Sequence, residues 1–521
     1  METPLVLTFD IGTQSARCLL VKPDGSFADI QQVKYDEPYY ARNPGWAEQR
    51  PDYYYDRICE VGKEVCGRNP ELLKNIIGVT VTVIRDTVLC LDKNNKPLRD
   101  IILWLDNRQA EYNDPFPCYK KWLFKFAGMD ETTKIIYRAT AANWLKQNQP
   151  DLWAKTDKFV FLPAYLHYKM TGVLVDSEAN MIGHLPFDYK RRKWKKKSEL
   201  TRCITDVPDE KLCTLIKSGE VVGKITKEFS KDSGVPEGLP LIATGSDKGC
   251  ETLGLSVTKS NKAAISYGTT ATIQMAVKKY FEPQQFMPAY PGIPNDIYNP
   301  EIEIFRGFWM LSWFVKEFGA EDRIEAKEKG CSPEQLLDKY IEKIPPGCNG
   351  LLLQPYWTPG VINPYAKGSV IGFADYHNRY HFYRAIIEGM CFELYDSLKI
   401  MEKRSGLEIE ELFVGGGGAR SDIVCQITAD VFGLPVKRIQ THEACSIGAS
   451  MVAFVADGVF KDYDDAIAHM VHEKDVFEPR EKEHEIYMEL YSVAYRKIFG
   501  KLEPIYRKLN KVYKRREQNE Q

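Results

Sequence analysis

An α/β protein with two large domains is the fold class this chain predicts, and three observations carry the prediction. Its 521 residues exceed what one hydrophobic core usually serves. Strand-like apolar runs alternate with helical patterns through both halves. The segment Asp10-Ile11-Gly12-Thr13-Gln14-Ser15-Ala16-Arg17 recurs in altered form as Thr244-Gly245-Ser246-Asp247-Lys248-Gly249 and then Ser266-Tyr267-Gly268-Thr269-Thr270, which points to two halves clamping one phosphate chain.

Taken in order, residues 5–9 and 18–21 read as strands joined by a tight hairpin of glycine and hydroxyl residues. Such a turn offers backbone N–H groups and hydroxyls to phosphate oxygens, and Asp10 at the strand end is placed to hold a hydrated magnesium ion. Glycine and threonine are also common in ordinary turns, so this loop alone does not decide the function. Further strands are expected over 79–83 and 87–91, and helices over 143–153 and 165–170. The turn-rich stretch 236–240 leads into a strand at 241–244, and the domain junction follows, dividing the chain into 1–250 and 251–521. The second half repeats the logic with strands at 263–267, 351–355 and 412–414 and helices at 382–401 and 423–432. Its cluster Val414-Gly415-Gly416-Gly417-Gly418-Ala419-Arg420-Ser421-Asp422 lets backbone approach a flat ligand, and the helix that follows adds a favourable dipole. Residues 485–498 and 502–514 read as a charged, surface-packed pair of closing helices.

Composition narrows the function. The balance of 70 basic and 72 acidic residues argues against a dedicated nucleic-acid binder. The start, Met1-Glu2-Thr3-Pro4, lacks a signal-peptide pattern and no run reaches transmembrane length, so a soluble, cytoplasmic protein without a membrane partner is expected. Thirteen cysteines, with no Cys-x-x-Cys pair and with Cys18, Cys90 and Cys391 inside apolar segments, read as reduced and buried. Eight histidines form no zinc-type spacing, which leaves loosely held magnesium as the metal to expect. The basic run 191–197 reads as solvated charge ahead of a surface helix starting near 198–200.

These motifs, in this order, resemble the FGGY carbohydrate kinases of the actin, Hsp70 and hexokinase ATPase fold class, over nearly the full length. The likeness also rests on Gly45-Trp46-Ala47-Glu48-Gln49-Arg50-Pro51, on Ile102-Leu103-Trp104-Leu105-Asp106-Asn107-Arg108, on Asn143-Trp144-Leu145 to Thr171-Gly172 and on Glu443-Ala444-Cys445-Ser446-Ile447-Gly448-Ala449. The second signature region keeps Gly372-Phe373 and a helix with Arg384, Glu388 and Gly389. There Thr358-Pro359-Gly360-Val361-Ile362-Asn363-Pro364 stands where the family has Gly-Glu-Arg-x-Pro, a departure that bears on loop geometry, substrate type or domain closure.

The resemblance implies two ribonuclease H-like (actin-like ATPase) domains flanking a deep interdomain cleft. It implies transfer of the ATP γ-phosphoryl group to a hydroxyl of a small sugar or polyol, with Mg2+. Asp247 is then the general base, against the plainer role of a helix cap. Asp10 goes to magnesium, Thr13, Gln14, Arg17, Gly268 and Thr269 to the phosphates, Gly307 to the nucleotide's vicinity, and Gly417 and Ser421 to the border of the adenosine. Trp46, Glu48, Arg85, Asp86 and Asp247 go to the acceptor. The Arg85-Asp86 pair resembles the Arg-Glu of glycerol and autoinducer-2 kinases more than the Met-His-Gly of xylulose kinases. A homodimer is the family's frequent habit. Two other readings are an acceptor-independent ATPase or assembly protein on the same fold and an inactive sugar sensor. The Trp46 and Arg85-Asp86 cluster argues against the first, and intact Asp10 and Asp247 against the second.

Overall fold

Strands Leu5–Ile11 (β1) and Ser15–Val21 (β2) pair antiparallel about the turn at Gly12, whose N–H donates to the Ser15 carbonyl at 3.0 Å. They sit in a six-stranded sheet with Phe27–Lys34 (β3), Ile76–Val83 (β4), Val221–Lys224 (β5) and Pro240–Ile242 (β6), in the order β5-β6-β4-β1-β2-β3. The central neighbours β6, β4 and β1 run parallel. Parallel strands are covered on both faces, which is why β1 and β4 read as nearly unbroken apolar runs. The helix Pro51–Arg68 (α1) covers one face with Tyr54, Ile58, Val61 and Val65, packed with Phe9 and Val79. The computed structural model describes residues 3–284, 287–358, 360 and 363–520, without the side chains of 514–520.

A second six-stranded sheet follows the same plan. Lys262–Tyr267 (β7), Ala271–Met275 (β8), Glu301–Ile304 (β9), Glu411–Gly415 (β10), Val436–Ile439 (β11) and Glu473–Phe477 (β12) stand in the order β9-β8-β7-β10-β11-β12. Each pair repeats the sense of its counterpart in the first sheet: β7–β8 and β8–β9 antiparallel, β7–β10 and β10–β11 parallel, β11–β12 antiparallel. Between the sheets runs the helix Asp247–Gly254 (α2), and the junction expected between residues 250 and 251 falls inside it. The long helix Arg379–Ser405 (α3) and the helix Asp422–Phe432 (α4) pack in the second core. The helix Ala444–Ala456 (α5) returns to the first sheet and joins Val6, Leu19 and Ile242. It crosses α2 at glycines: a Cβ on Gly254 would lie 1.9 Å from the Ala444 carbonyl oxygen, and one on Gly448 1.9 Å from that of Cys250. The two lobes therefore touch backbone to backbone.

Several expectations change. The single helix over 143–153 is two, Ala141–Asn148 and Pro150–Lys155, because Pro150 starts a new helix and pushes Gln149 out of the helical region. The closing pair is Glu481–Leu490, a π-helical turn Tyr491–Tyr495 and one continuous helix Arg496–Glu520 that carries Pro504 inside it. The basic run is only partly solvated. Arg192 pairs with Glu178 at 3.3 Å and lies 4.9 Å from the Tyr298 ring, Lys193–Trp194 is a short strand, and the helix beyond is the 3-10 segment Leu200–Thr205. All thirteen cysteines are unpaired and nine are buried, and no helix among the described residues is long and apolar enough to cross a membrane. Of the altered stretch 358–364, Pro359, Val361 and Ile362 lie outside the described residues. The rest of that signature region serves packing: a Cβ on Gly372 would sit 2.0 Å from the Gly350 carbonyl oxygen, and Arg384 is buried against Glu388 at 2.7 Å and Tyr487 at 3.1 Å.

Candidate functional site

The C-terminal end of β1 and the N-terminus of α2 bring the two aspartates together. Asp10 stands opposite Arg17 in the β1–β2 register; Arg17 Nη1 lies 3.4 Å from Asp10 Oδ2, and its Nε 3.3 Å from Oε2 of Glu443. Burial pushes the Asp10 carboxyl up to about 7; Arg17 pulls it down, and Glu443, Asp247 and Glu251 push it further up. Asp247 opens α2, but Ser246 is the cap, its Oγ accepting the Gly249 N–H at 3.2 Å. Asp247 Oδ1 accepts its neighbour's N–H, that of Lys248, at 2.8 Å. Burial raises the Asp247 carboxyl, and Lys248 and Arg85 offset this only in part. The thiol of Cys445, at the start of α5, donates to the Asp247 carbonyl at 3.3 Å.

The two hairpins flank this centre. Thr13 accepts the Trp104 indole N–H at 3.0 Å, and Gln14 is exposed, with its carbonyl taking the Tyr35 N–H at 2.9 Å. In the second hairpin, the Gly268 carbonyl accepts the Phe308 N–H at 3.1 Å while Thr269 is exposed. Gly307 is packed beneath it: a Cβ there would lie 2.3 Å from the Ala271 nitrogen. In the glycine run, a Cβ on Gly418 would meet the Phe308 ring at 2.3 Å, whereas one on Gly417 would meet no heavy atom within 4 Å. Ser421 caps α4, accepting the Val424 N–H at 3.2 Å.

On the acceptor side, the predicted residues separate into two groups. Arg85, just beyond β4, reaches across to the second sheet and pairs with Glu301 at 2.5 Å and Glu303 at 3.6 Å. Burial opposes its charge, but the two carboxylates outweigh it; Glu303 in turn is pushed up to about 7, chiefly by burial. Asp86 takes a left-handed φ of 49° and accepts from His184 twice, from its N–H at 3.0 Å and its Nδ1 at 2.7 Å. A Cβ on Gly183 would lie 2.2 Å from Asp86 Oδ1, so only glycine permits this approach. Trp46 and Glu48 belong to a different cluster. Glu48 is buried, with Arg108 2.9 Å and Arg42 3.6 Å away and Arg99 also bonded to it. Trp46 packs edge-on to Trp144, with the Arg108 guanidinium 4.0 Å from its ring.

Lys248, Trp104, His184, Glu301, Glu303 and Glu443 also border the site, beyond the residues the sequence assigns to it. Lys248 was adjacent to the chosen base and Trp104 and Glu443 lay within motifs already noted, whereas nothing local marks the glutamates of β9.

The donor set fits a hard cation and a nucleotide. Among the described residues no group of three or more His, Cys, Asp or Glu could by itself hold a metal. A buried carboxylate such as Asp10, whose neighbour Arg17 does not offset its burial, suits an ion that takes its remaining oxygens from phosphate and water. The open direction at Gly417 leaves backbone free to face a planar base.

The N-terminal domain model of the FGGY family of carbohydrate kinases matches residues 5–254, and the C-terminal domain model matches 263–456. The xylulose kinase of Bacillus subtilis (strain 168) is 27% identical over 507 residues, covering 95% of this chain and 96% of its own length. The gluconokinase of the same organism is 24% identical over 481 residues, 90% of each chain. Among solved structures, the gluconate kinase of Lactobacillus acidophilus superposes with a TM-score of 0.82 at 21% identity, covering 98% of this chain and 100% of that one. The ligand-bound xylulose kinase of the same organism gives 0.82 at 21% identity, over 97% and 100%. With both domain models matched in order across the two lobes just described, the chain belongs to the FGGY family of carbohydrate kinases, enzymes that phosphorylate sugars with ATP.

Proposed function

We propose that this kinase transfers the γ-phosphoryl group of ATP to a hydroxyl of a neutral sugar or polyol, with Asp247 as the base. The observation that carries the reading is the half-buried Asp247 carboxylate on the first turn of α2, near Lys248 and Arg85 and relieved of capping by Ser246. Freed of that duty, it can accept the acceptor's hydroxyl proton late in a loose transition state, an assistance typically worth about 10²–10⁴-fold. Magnesium-bound ATP supplies the phosphoryl group and the charge neutralisation between phosphate oxygens. Asp10 would hold the ion; Thr13, Gln14, Arg17, Gly268 and Thr269 would orient the phosphates; Gly417 and Ser421 would border the base, with Gly307 supporting the second hairpin. Arg85 and Asp86 form the acceptor wall, and Trp46 and Glu48 set its shape through the arginine cluster. Closure of the lobes would keep water from taking the acceptor's place.

The neutral acceptor follows from charge. Asp247, Glu301 and Glu303 face Arg85 and Lys248, Asp86 is held by His184, and Arg85 is already paired. An anionic acceptor would add to an acidic wall, whereas hydroxyls can donate to Glu303 and accept from His184. The test is ADP release with magnesium-ATP and a panel of D-xylulose, glycerol, other polyols and D-gluconate, with Asp247→Asn alongside. Turnover on neutral acceptors, falling about 10³-fold in the variant at an unchanged melting temperature, is the expected result. Preference for gluconate overturns the neutral acceptor, and ADP release without any acceptor favours a plain ATPase.

A further inference from the structure

Helix α2 carries a second charged group, Lys248, next to Asp247. The Lys248 ammonium donates to Glu251 Oε2 at 2.8 Å and to the hydroxyl of Ser266. Ser266 lies at the end of β7, just before the second hairpin, and a Cβ on Gly268 would stand 3.9 Å from Lys248 Nζ. A side chain rooted beside the first sheet thus ends at the hairpin of the second.

The two hairpins explain why a cation is wanted there. In the first, Asp10 faces Arg17 across the register; at the matching place in the second, Ser266 faces Thr272. The second hairpin therefore has no charge of its own at this position. Arg85 cannot supply it, being held by Glu301 and Glu303. Glu251 fixes the ammonium from the other side, for its Oε1 lies 2.8 Å from where a Cβ on Gly415 would be, at the start of the glycine run. Burial opposes the ammonium's charge, but Glu251 and Asp247 outweigh it and keep the proton on.

We infer that Lys248 is the cation that meets the transferring phosphoryl group, an inference that rests on the phosphoryl-transfer reading above. As the acceptor oxygen bonds to the γ-phosphorus, the bond from that phosphorus to the bridging oxygen breaks and its electron pair leaves on ADP. The hydroxyl proton passes to Asp247. Lys248 exchanges the Ser266 hydroxyl for a non-bridging phosphoryl oxygen and keeps all three of its protons. Charge fixed where charge develops lowers the barrier without tightening the ground state.

The experiment pairs kinetics with binding on the full-length protein, comparing parent, Lys248→Met and Lys248→Arg. Magnesium-ADP is titrated calorimetrically with and without aluminium fluoride, which mimics the phosphoryl group in flight. For Lys248→Met, kcat falls about 10²–10³-fold with the KM for ATP within about threefold. ADP alone binds as in the parent, and the tightening by aluminium fluoride is lost by about 10²-fold; Lys248→Arg restores much of both. The inference is overturned if Lys248→Met keeps the parent's kcat or its aluminium fluoride tightening. It is equally overturned if ADP affinity and melting temperature fall together, because Lys248 then only holds α2 in place, or if aluminium fluoride tightens nothing in the parent. Failure of the acceptor reading shows separately, as a parent that releases ADP without any acceptor, and the ADP–fluoride comparison still decides the lysine.

Discussion

The hairpins at 12–14 and 268–270 share a backbone and differ in charge. Each joins the first two strands of a sheet whose order and pairing senses match the other's. The first carries its own ion pair, Asp10 with Arg17, while the second has Ser266 opposite Thr272 and borrows Lys248 from α2. One scaffold used twice thus gives two different electrostatic ends: a carboxylate suited to a hard cation, and a hydroxyl with an ammonium suited to an anion. Topology set the positions, and single side chains set the chemistry. The sheets also differ at one edge, where β5 precedes β6 in the chain but β12 follows β11.

The comparison breaks most sharply at Asp10. Asp10→Asn should cut turnover about 10³-fold, whereas Ser266→Ala, which removes a neutral partner, should cost at most about tenfold. Steady-state kinetics on both variants checks the asymmetry, and equal losses would mean the hairpins are not differentiated. The same Asp10 variant should also be more stable without ligand. Its folded carboxyl titrates near 7 against 3.8 when unperturbed, so the native state holds a proton that the unfolded chain has released between those values. Stability from this group therefore falls as pH rises through that window and is lost above it. Asp10→Asn should melt a few degrees above the parent at pH 8, with the gap closing toward pH 4 in a thermal scan.

Smaller effects sharpen the packing side. Gly307→Ala forces a methyl against the Ala271 nitrogen and should destabilise by about 1–3 kcal/mol in denaturant titration. Gly417→Ala, where the space is open, should leave stability within about 0.5 kcal/mol and weaken ATP binding instead. Smallest is Thr13→Ala, which strips the Trp104 indole of its acceptor at 3.0 Å and should raise the KM for ATP by about fivefold.

What could be read from sequence was local. Asp10, the hairpin glycines and Asp247 sit in short strand-turn or turn-helix patterns whose chemistry is visible within a few residues. Trp46 and Glu48 stand together in one short segment, but Arg42, Arg99 and Arg108 surround the glutamate, and two of them come from another stretch of chain. The single helix expected over 143–153 overlooked the break that Pro150 imposes, whereas the helix expected over 502–514 already held Pro504 inside it, as the structure does.

By itself the sequence determined the α/β alternation, the two hairpins, the aspartates Asp10 and Asp247, the glycine run and the neutral balance of charge, because each depends on residues close together in the chain. Only the tertiary structure decided that Ser246 rather than Asp247 caps α2, that Glu301 and Glu303 occupy Arg85, and that Lys248 ends at the far hairpin. Those outcomes depend on which strands and helices from distant parts of the chain share one buried space. There, the cost of an unpaired charge selects partners that sequence spacing does not reveal.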